Sequence, residues 1–161
     1  MKILVELDGV LRGRGDLPIS TGIILSGSLS THNRISFFSS QPFTEMKYWL
    51  DSNKIIDYDN LIDNSVALPD EDLKQRQLKV ARAKGLAEMV VTSDPALWTF
   101  AFEQGIPVIL FAVPAYTRPE YRPDAPTSVR SWDSITQAIA KQAVLLAEDA
   151  RTSKVEELNY E

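Results

Sequence analysis

The chain has 161 residues, 44% of them hydrophobic, and a net charge of −5; this suits one globular domain with a sizeable core and argues against a disordered chain or a general nucleic-acid binder. It has no cysteine and one histidine, His32, so disulfides, thiolate metal sites and a multi-histidine zinc site within one chain are excluded. No apolar run approaches the roughly 20 residues that span a bilayer, and the N-terminus lacks a signal-peptide pattern, which together predict a cytoplasmic protein.

The first strand is expected over residues 2–7, where Ile3-Leu4-Val5 runs into Glu6-Leu7-Asp8-Gly9. Side chains alternate along a strand, so Glu6 and Asp8 are expected to point the same way, and Gly9 lets the chain turn sharply. Ligands of open α/β sheets bind outside the carboxyl ends of the strands. Two acids at such an end offer oxygen ligands to Mg²⁺, and either one is a candidate nucleophile or proton carrier.

Residues 10–20, with two glycines, a proline and mixed charge, read as a loop. Residues 21–29 are ambiguous: Ile23-Ile24-Leu25 favours a strand, while Thr21 suits the cap of a short helix. Arg34 to Phe38 reads as a strand, followed by Ser39-Ser40-Gln41-Pro42 and a helix to about Asn53 with Phe43, Met46, Trp49 and Leu50 on one face. A short extended piece is expected within 55–62. Asp70 to Lys84 is a helix with acids first, bases last and Gly85 as its stop. Met89-Val90-Val91 is a strand, and Asp94-Pro95 is an N-cap followed by proline at the first helical position. That helix ends by Gly105, and a strand follows at Val108 to Phe111. Residues 112–126 form a Pro/Arg/Tyr-rich loop carrying Tyr116, Arg118, Tyr121 and Arg122. The last helix starts near Trp132 with Ile135, Ala138, Ile139, Ala143 and Leu146 as its stripe. Alternating strands and helices predict a parallel sheet covered on both faces. We expect a single domain over 1–149 and a polar tail over 150–161, with the loops at 10–20 and 112–126 covering any site.

The run ILVELDGVL resembles the first motif of the haloacid dehalogenase-like (HAD) phosphohydrolases, an apolar strand followed by Asp-x-Asp-Gly-(Thr or Val). The resemblance implies an α/β, HAD-like, Rossmann-type three-layer sandwich with a mainly parallel central sheet and no separate cap domain. It also implies a Mg²⁺-dependent phosphomonoesterase acting on a small phosphate, such as a nucleotide; the net charge and the short apolar runs, separately, argue against nucleic acid and a membrane as partners. Asp8 matches the family's acid/base; Glu6 stands where the family has its nucleophilic Asp. Ser39 matches the residue that hydrogen-bonds the phosphoryl oxygens, although Ser39 or Ser40 also suits the cap of the next helix. The family's basic residue falls on the 70–84 helix, where Lys74, Arg76, Lys79, Arg82 and Lys84 compete and Lys79 is preferred. Asp94 matches a metal-binding acid, giving Glu6, Asp8 and Asp94 as the expected Mg²⁺ ligands, though an N-cap role alone explains Asp94 equally. Small, capless HAD-like proteins of this kind are often encoded by bacteriophages.

Two function classes follow: a phosphatase with a substituted nucleophile, or a non-catalytic relative that binds a phosphate-bearing ligand or a protein. In either, Arg118 and Arg122 offer bidentate forks to phosphate, or the loop that carries them is a proline-braced surface element.

Overall fold

A computed structural model describes residues 1–112 and 132–148. The strands are β1 (Lys2–Glu6), β2 (Arg34–Phe38), β3 (Asn60–Ile62), β4 (Met89–Thr92) and β5 (Val108–Leu110). The helices are α1 (Ser20–Ser30), α2 (Phe43–Ser52), α3 (Leu73–Ala83), α4 (Pro95–Glu103) and α5 (Trp132–Glu148). All strand pairs are parallel, in the order β3-β2-β1-β4-β5, so β1 is central. The fold is an α/β three-layer sandwich of Rossmann type.

The sequence explains the layers. Ile3 and Val5 face one way along β1 and join Ile35, Phe37, Met46 and Leu50 beneath α1 and α2. Leu4 faces the other way and joins Phe38, Leu78, Val90, Leu97 and Ala101 beneath α3 and α4. Each fully buried large side chain contributes about 1.5–3 kcal/mol. Both faces are covered, which is why these strands read as continuous apolar runs. Residues 20–30 are helical, which resolves the ambiguity at 21–29. On α2, Met46, Trp49 and Leu50 are buried, but Phe43, at the helix start, is 48% exposed. Residues 113–131, which include Arg118 and Arg122 and all but the first residue of the loop expected at 112–126, lie outside the described residues, as do residues 149–161.

The segment after β1 is more ordered than its loop-like composition predicts. Leu7, Val10 and Leu11 are fully buried. The Leu11 and Arg12 amides both donate to Leu7 O, the Gly9 amide donates to Arg12 O at 2.7 Å, and the Ile19 amide donates to Leu11 O. Gly9 has φ 82°, a left-handed conformation that favours glycine. Gly22 fixes the approach of α1, because a Cβ there would lie 1.7 Å from Val10 O. A backbone carbonyl in a packed core has little freedom to retreat. Gly22→Ala is therefore expected to cost roughly 2–3 kcal/mol in a denaturant melt. Gly27→Ala on the same helix meets nothing within 4 Å and is expected to gain roughly 0.5–1 kcal/mol. Equal effects at the two positions would remove the close-packing argument.

Candidate functional site

The carboxyl ends of β1, β2 and β4 carry a buried cluster of charged and hydroxyl groups. β1 ends at Glu6, and Glu6 and Asp8 are each 1% exposed. Strand alternation does not run on past Glu6. The two carboxylates therefore diverge, Glu6 toward β4 and Asp8 toward β2, instead of sharing one direction.

On the β4 side, Glu6 Oε2 accepts from the Thr92 hydroxyl at 2.5 Å and the Ser93 amide at 3.0 Å. Its Oε1 lies 2.7 Å from Lys74 Nζ, which also lies 2.9 Å from Asp94 Oδ2. Asp94 is the N-cap of α4, with Oδ1 accepting from the Ala96 amide at 2.9 Å. The N-cap expectation for Asp94 thus holds, with one oxygen capping the helix and the other paired with Lys74. The Thr92 hydroxyl also accepts from the Asp94 amide, which ties the strand end to the helix start.

On the β2 side, Asp8 Oδ1 accepts from Arg12 Nε at 2.9 Å and from Arg12 Nη2. Asp8 Oδ2 accepts from the Ser39 hydroxyl at 2.7 Å and the Ser40 amide at 3.3 Å. Arg12, 5% exposed, also reaches Ser39 Oγ at 3.3 Å. Ser39 does not cap α2; its hydroxyl accepts from the Gln41 amide, and Pro42 is the N-cap residue. The free amide of Phe43 is taken instead by Asp63 at 3.2 Å. Hydrogen bonding by Ser65 is the main reason that the Asp63 carboxyl lies below its ordinary range.

Gln77 braces this edge. It is fully buried, and its amide donates to the carbonyls of Ser39 at 2.7 Å and Asp63 at 2.9 Å, tying α3 to the ends of β2 and β3.

Two expectations are corrected. The basic residue of α3 that reaches the carboxylates is Lys74, not Lys79. Lys79 is exposed, pairs with Glu71 and lies 5.8 Å over the Phe100 ring. Lys74 shares the helix face of Gln77, Leu78 and Ala81, the buried residues of α3, and Lys79 lies off that face. Likewise, Glu6, Asp8 and Asp94 do not converge as one set. Among the described residues, no three acidic or histidine side chains form a metal-binding group. Glu6 and Asp94 come together across Lys74, and the Asp8 carboxylate is turned to Arg12 and Ser39.

Arg12, Thr92, Ser93 and Gln77 were not singled out by the sequence. The spacing of Asp8 and Arg12 around Gly9, and the Thr-Ser pair ending an apolar strand, were the available signals. His32 is exposed. Trp98 and Phe102 stack on each other at 5.0 Å between centroids, consistent with a packing role.

No family model, curated protein or solved structure matches the chain. What the fold and cluster define is an open parallel α/β sheet with a buried acid–base–hydroxyl cluster at its carboxyl end, where such sheets bind ligands. No helix among the described residues is long and apolar enough to cross a membrane.

Proposed function

We propose that the protein is a HAD-like, Mg²⁺-dependent phosphomonoesterase, acting in the cytoplasm on a small phosphorylated substrate, with its nucleophilic position held by glutamate. The observation that carries this reading is the pairing of an acid–base cluster with a hydroxyl and a backbone amide at the ends of three adjacent parallel strands. Ser39 Oγ and the Ser40 amide flank Asp8, and Lys74 supplies positive charge beside Glu6.

In this reading a Glu6 oxygen attacks phosphorus and the bond to the leaving oxygen breaks. Asp8, which must first exchange its ion pair with Arg12 for a proton, gives that proton to the leaving oxygen. Water then attacks the phosphorus of the acyl phosphate, Asp8 takes a proton from it, and the Glu6 carboxylate is restored. Ser39 orients the phosphoryl oxygens, and Arg12 holds Asp8 in place. Mg²⁺ requires only one or two carboxylates when water and phosphate complete its shell, and Glu6 with Asp94 would provide hard oxygen donors of that kind once the Lys74 ammonium that bridges them turns to the phosphoryl group. Bound there, the ion would neutralise phosphoryl charge.

A second reading is favoured by one specific observation. Both Glu6 oxygens are engaged, by Thr92, Ser93 and Lys74. A carboxylate so restrained suits a non-catalytic protein that binds a phosphate-bearing ligand or a partner.

Thermal melting in EDTA, in millimolar Mg²⁺, and in Mg²⁺ with fluoroberyllate tests the shared part of both readings. Ligand that binds only the folded state stabilises it by mass action. The melting temperature is expected to rise stepwise, and Asp94→Asn is expected to lose both steps. One melting temperature in all three conditions would defeat the proposed site.

A further inference from the structure

A cavity of about 410 Å³ opens beside the cluster, between the turn that carries Arg12 and Asp16 and the outer face of α2. That volume lies in the range of small-ligand pockets. Arg12 is shared: its guanidinium binds Asp8 and Ser39 on one side and lines the cavity on the other. Gln41 is shared as well, since its amide donates to Ser39 Oγ. A group seated in the cavity is thus a direct neighbour of a phosphoryl group held at Ser39.

The far wall is aromatic and rigid. Trp49 is 6% exposed, and its indole N–H donates to Asp16 O at 2.8 Å, clamping α2 to the turn. Tyr48 lines the cavity yet is 76% exposed, a large ring left in water at the mouth of a concavity. Glu45 lies one helical turn before it, on the same side of α2. Glu45 and Asp16 place two carboxylates on the cavity lining. Arg12 Nη1 lies 3.7 Å from Asp16 Oδ1 and offsets that charge, so Glu45 is the carboxylate left to accept from an N–H donor and to disfavour a second anionic group.

We propose that this cavity seats the leaving group of the phosphoester, and that this group carries a planar, N–H-donating heteroaromatic ring stacked on Tyr48, as in a nucleoside monophosphate. The inference rests on the phosphoester reading above. It excludes bis-phosphorylated and purely aliphatic leaving groups, which would meet Glu45 or leave the ring unused.

Titration calorimetry in Mg²⁺ with adenosine 5′-monophosphate, ribose 5-phosphate and adenosine tests it, using wild type, Tyr48→Phe and Tyr48→Ala. Tyr48 is a surface side chain, so both variants are expected to fold. Stacking of a base on an aromatic ring corresponds to roughly tenfold in affinity. Wild type is expected to prefer the nucleotide to ribose 5-phosphate by about that factor. Tyr48→Phe is expected to keep the preference and Tyr48→Ala to lose it, with ribose 5-phosphate binding unchanged. Equal binding of the two phosphates in wild type overturns the inference and leaves the phosphate site standing. Tyr48-dependent binding of adenosine without binding of either phosphate upholds the ring pocket and overturns the phosphoester reading. Absence of binding by all three overturns both.

Discussion

Lys74→Met is expected to lower stability by about 3 kcal/mol, the lower end of what removing one partner of a buried ion pair costs. Lys74 and Asp94 side chains are each 13% exposed and Glu6 is 1% exposed, so its ammonium is the neighbouring cation for two largely desolvated carboxylates. Methionine keeps most of the volume of the lysine stem, which confines the effect to charge. In a chain of this length the change corresponds to a fall in melting temperature of roughly 6–12 °C. Lys79→Met is the control. Lys79 is 53% exposed, and exposed ion pairs are worth about 1 kcal/mol or less. The same lysine supports phosphoryl binding in the proposed function, so Lys74→Met is also expected to abolish the further stabilisation by fluoroberyllate, while stabilisation by Mg²⁺ alone is expected to persist because the ion then has the Glu6–Asp94 pair to itself. A variant that melts within a degree of wild type and still responds to fluoroberyllate would remove Lys74 from the site.

What was legible in the sequence was whatever local pattern determines. The apolar runs at Ile3, Ile35, Val90 and Val108 gave four strands, and Asp94-Pro95 gave the start of α4, because capping and proline geometry act within a few residues. The order β3-β2-β1-β4-β5 then brings Glu6, Ser39 and Asp94 to one end of the sheet. The site's inner wiring was not legible, since it depends on which way side chains turn after regular structure stops. Alternation predicted that Glu6 and Asp8 share a direction; β1 ends between them, and they part. Arg12 looked like loop charge beside Arg14, yet the return of the chain through Pro18 and Ile19 buries it against Asp8. Lys74 was within reach of helical periodicity, because it repeats with Gln77, Leu78 and Ala81. That face was hard to see because its fully buried members include a glutamine.

Glu6→Asp separates the two function classes. Glutamate carries its carboxylate one methylene further from the backbone than the aspartate of the family motif. The structure shows where that length goes: the carboxylate spans to the end of β4 and is fastened by Thr92, Ser93 and Lys74. Both oxygens are thereby drawn toward β4, while the Ser39 hydroxyl and Ser40 amide lie on the opposite, β2 side of Asp8. An aspartate at position 6 cannot keep all of these contacts. Its carboxylate retreats toward the strand end, nearer to the groups proposed to orient the phosphoryl. Displacements near 1 Å cost about a hundredfold in well-positioned chemistry. With p-nitrophenyl phosphate and Mg²⁺, Glu6→Asp is therefore expected to raise turnover by about tenfold to a hundredfold over wild type. Asp8→Asn in the same background is expected to remove that activity, because the water that attacks the acyl phosphate then lacks its base and Glu6→Asp stays phosphorylated. Should wild type turn over faster than Glu6→Asp, the backbone has adapted to glutamate, and Glu6 is itself the working nucleophile. Should neither form turn over while both are stabilised by fluoroberyllate, the cluster binds phosphate without chemistry and the non-catalytic reading stands. Activity undiminished in Asp8→Asn would take the reaction away from this cluster altogether.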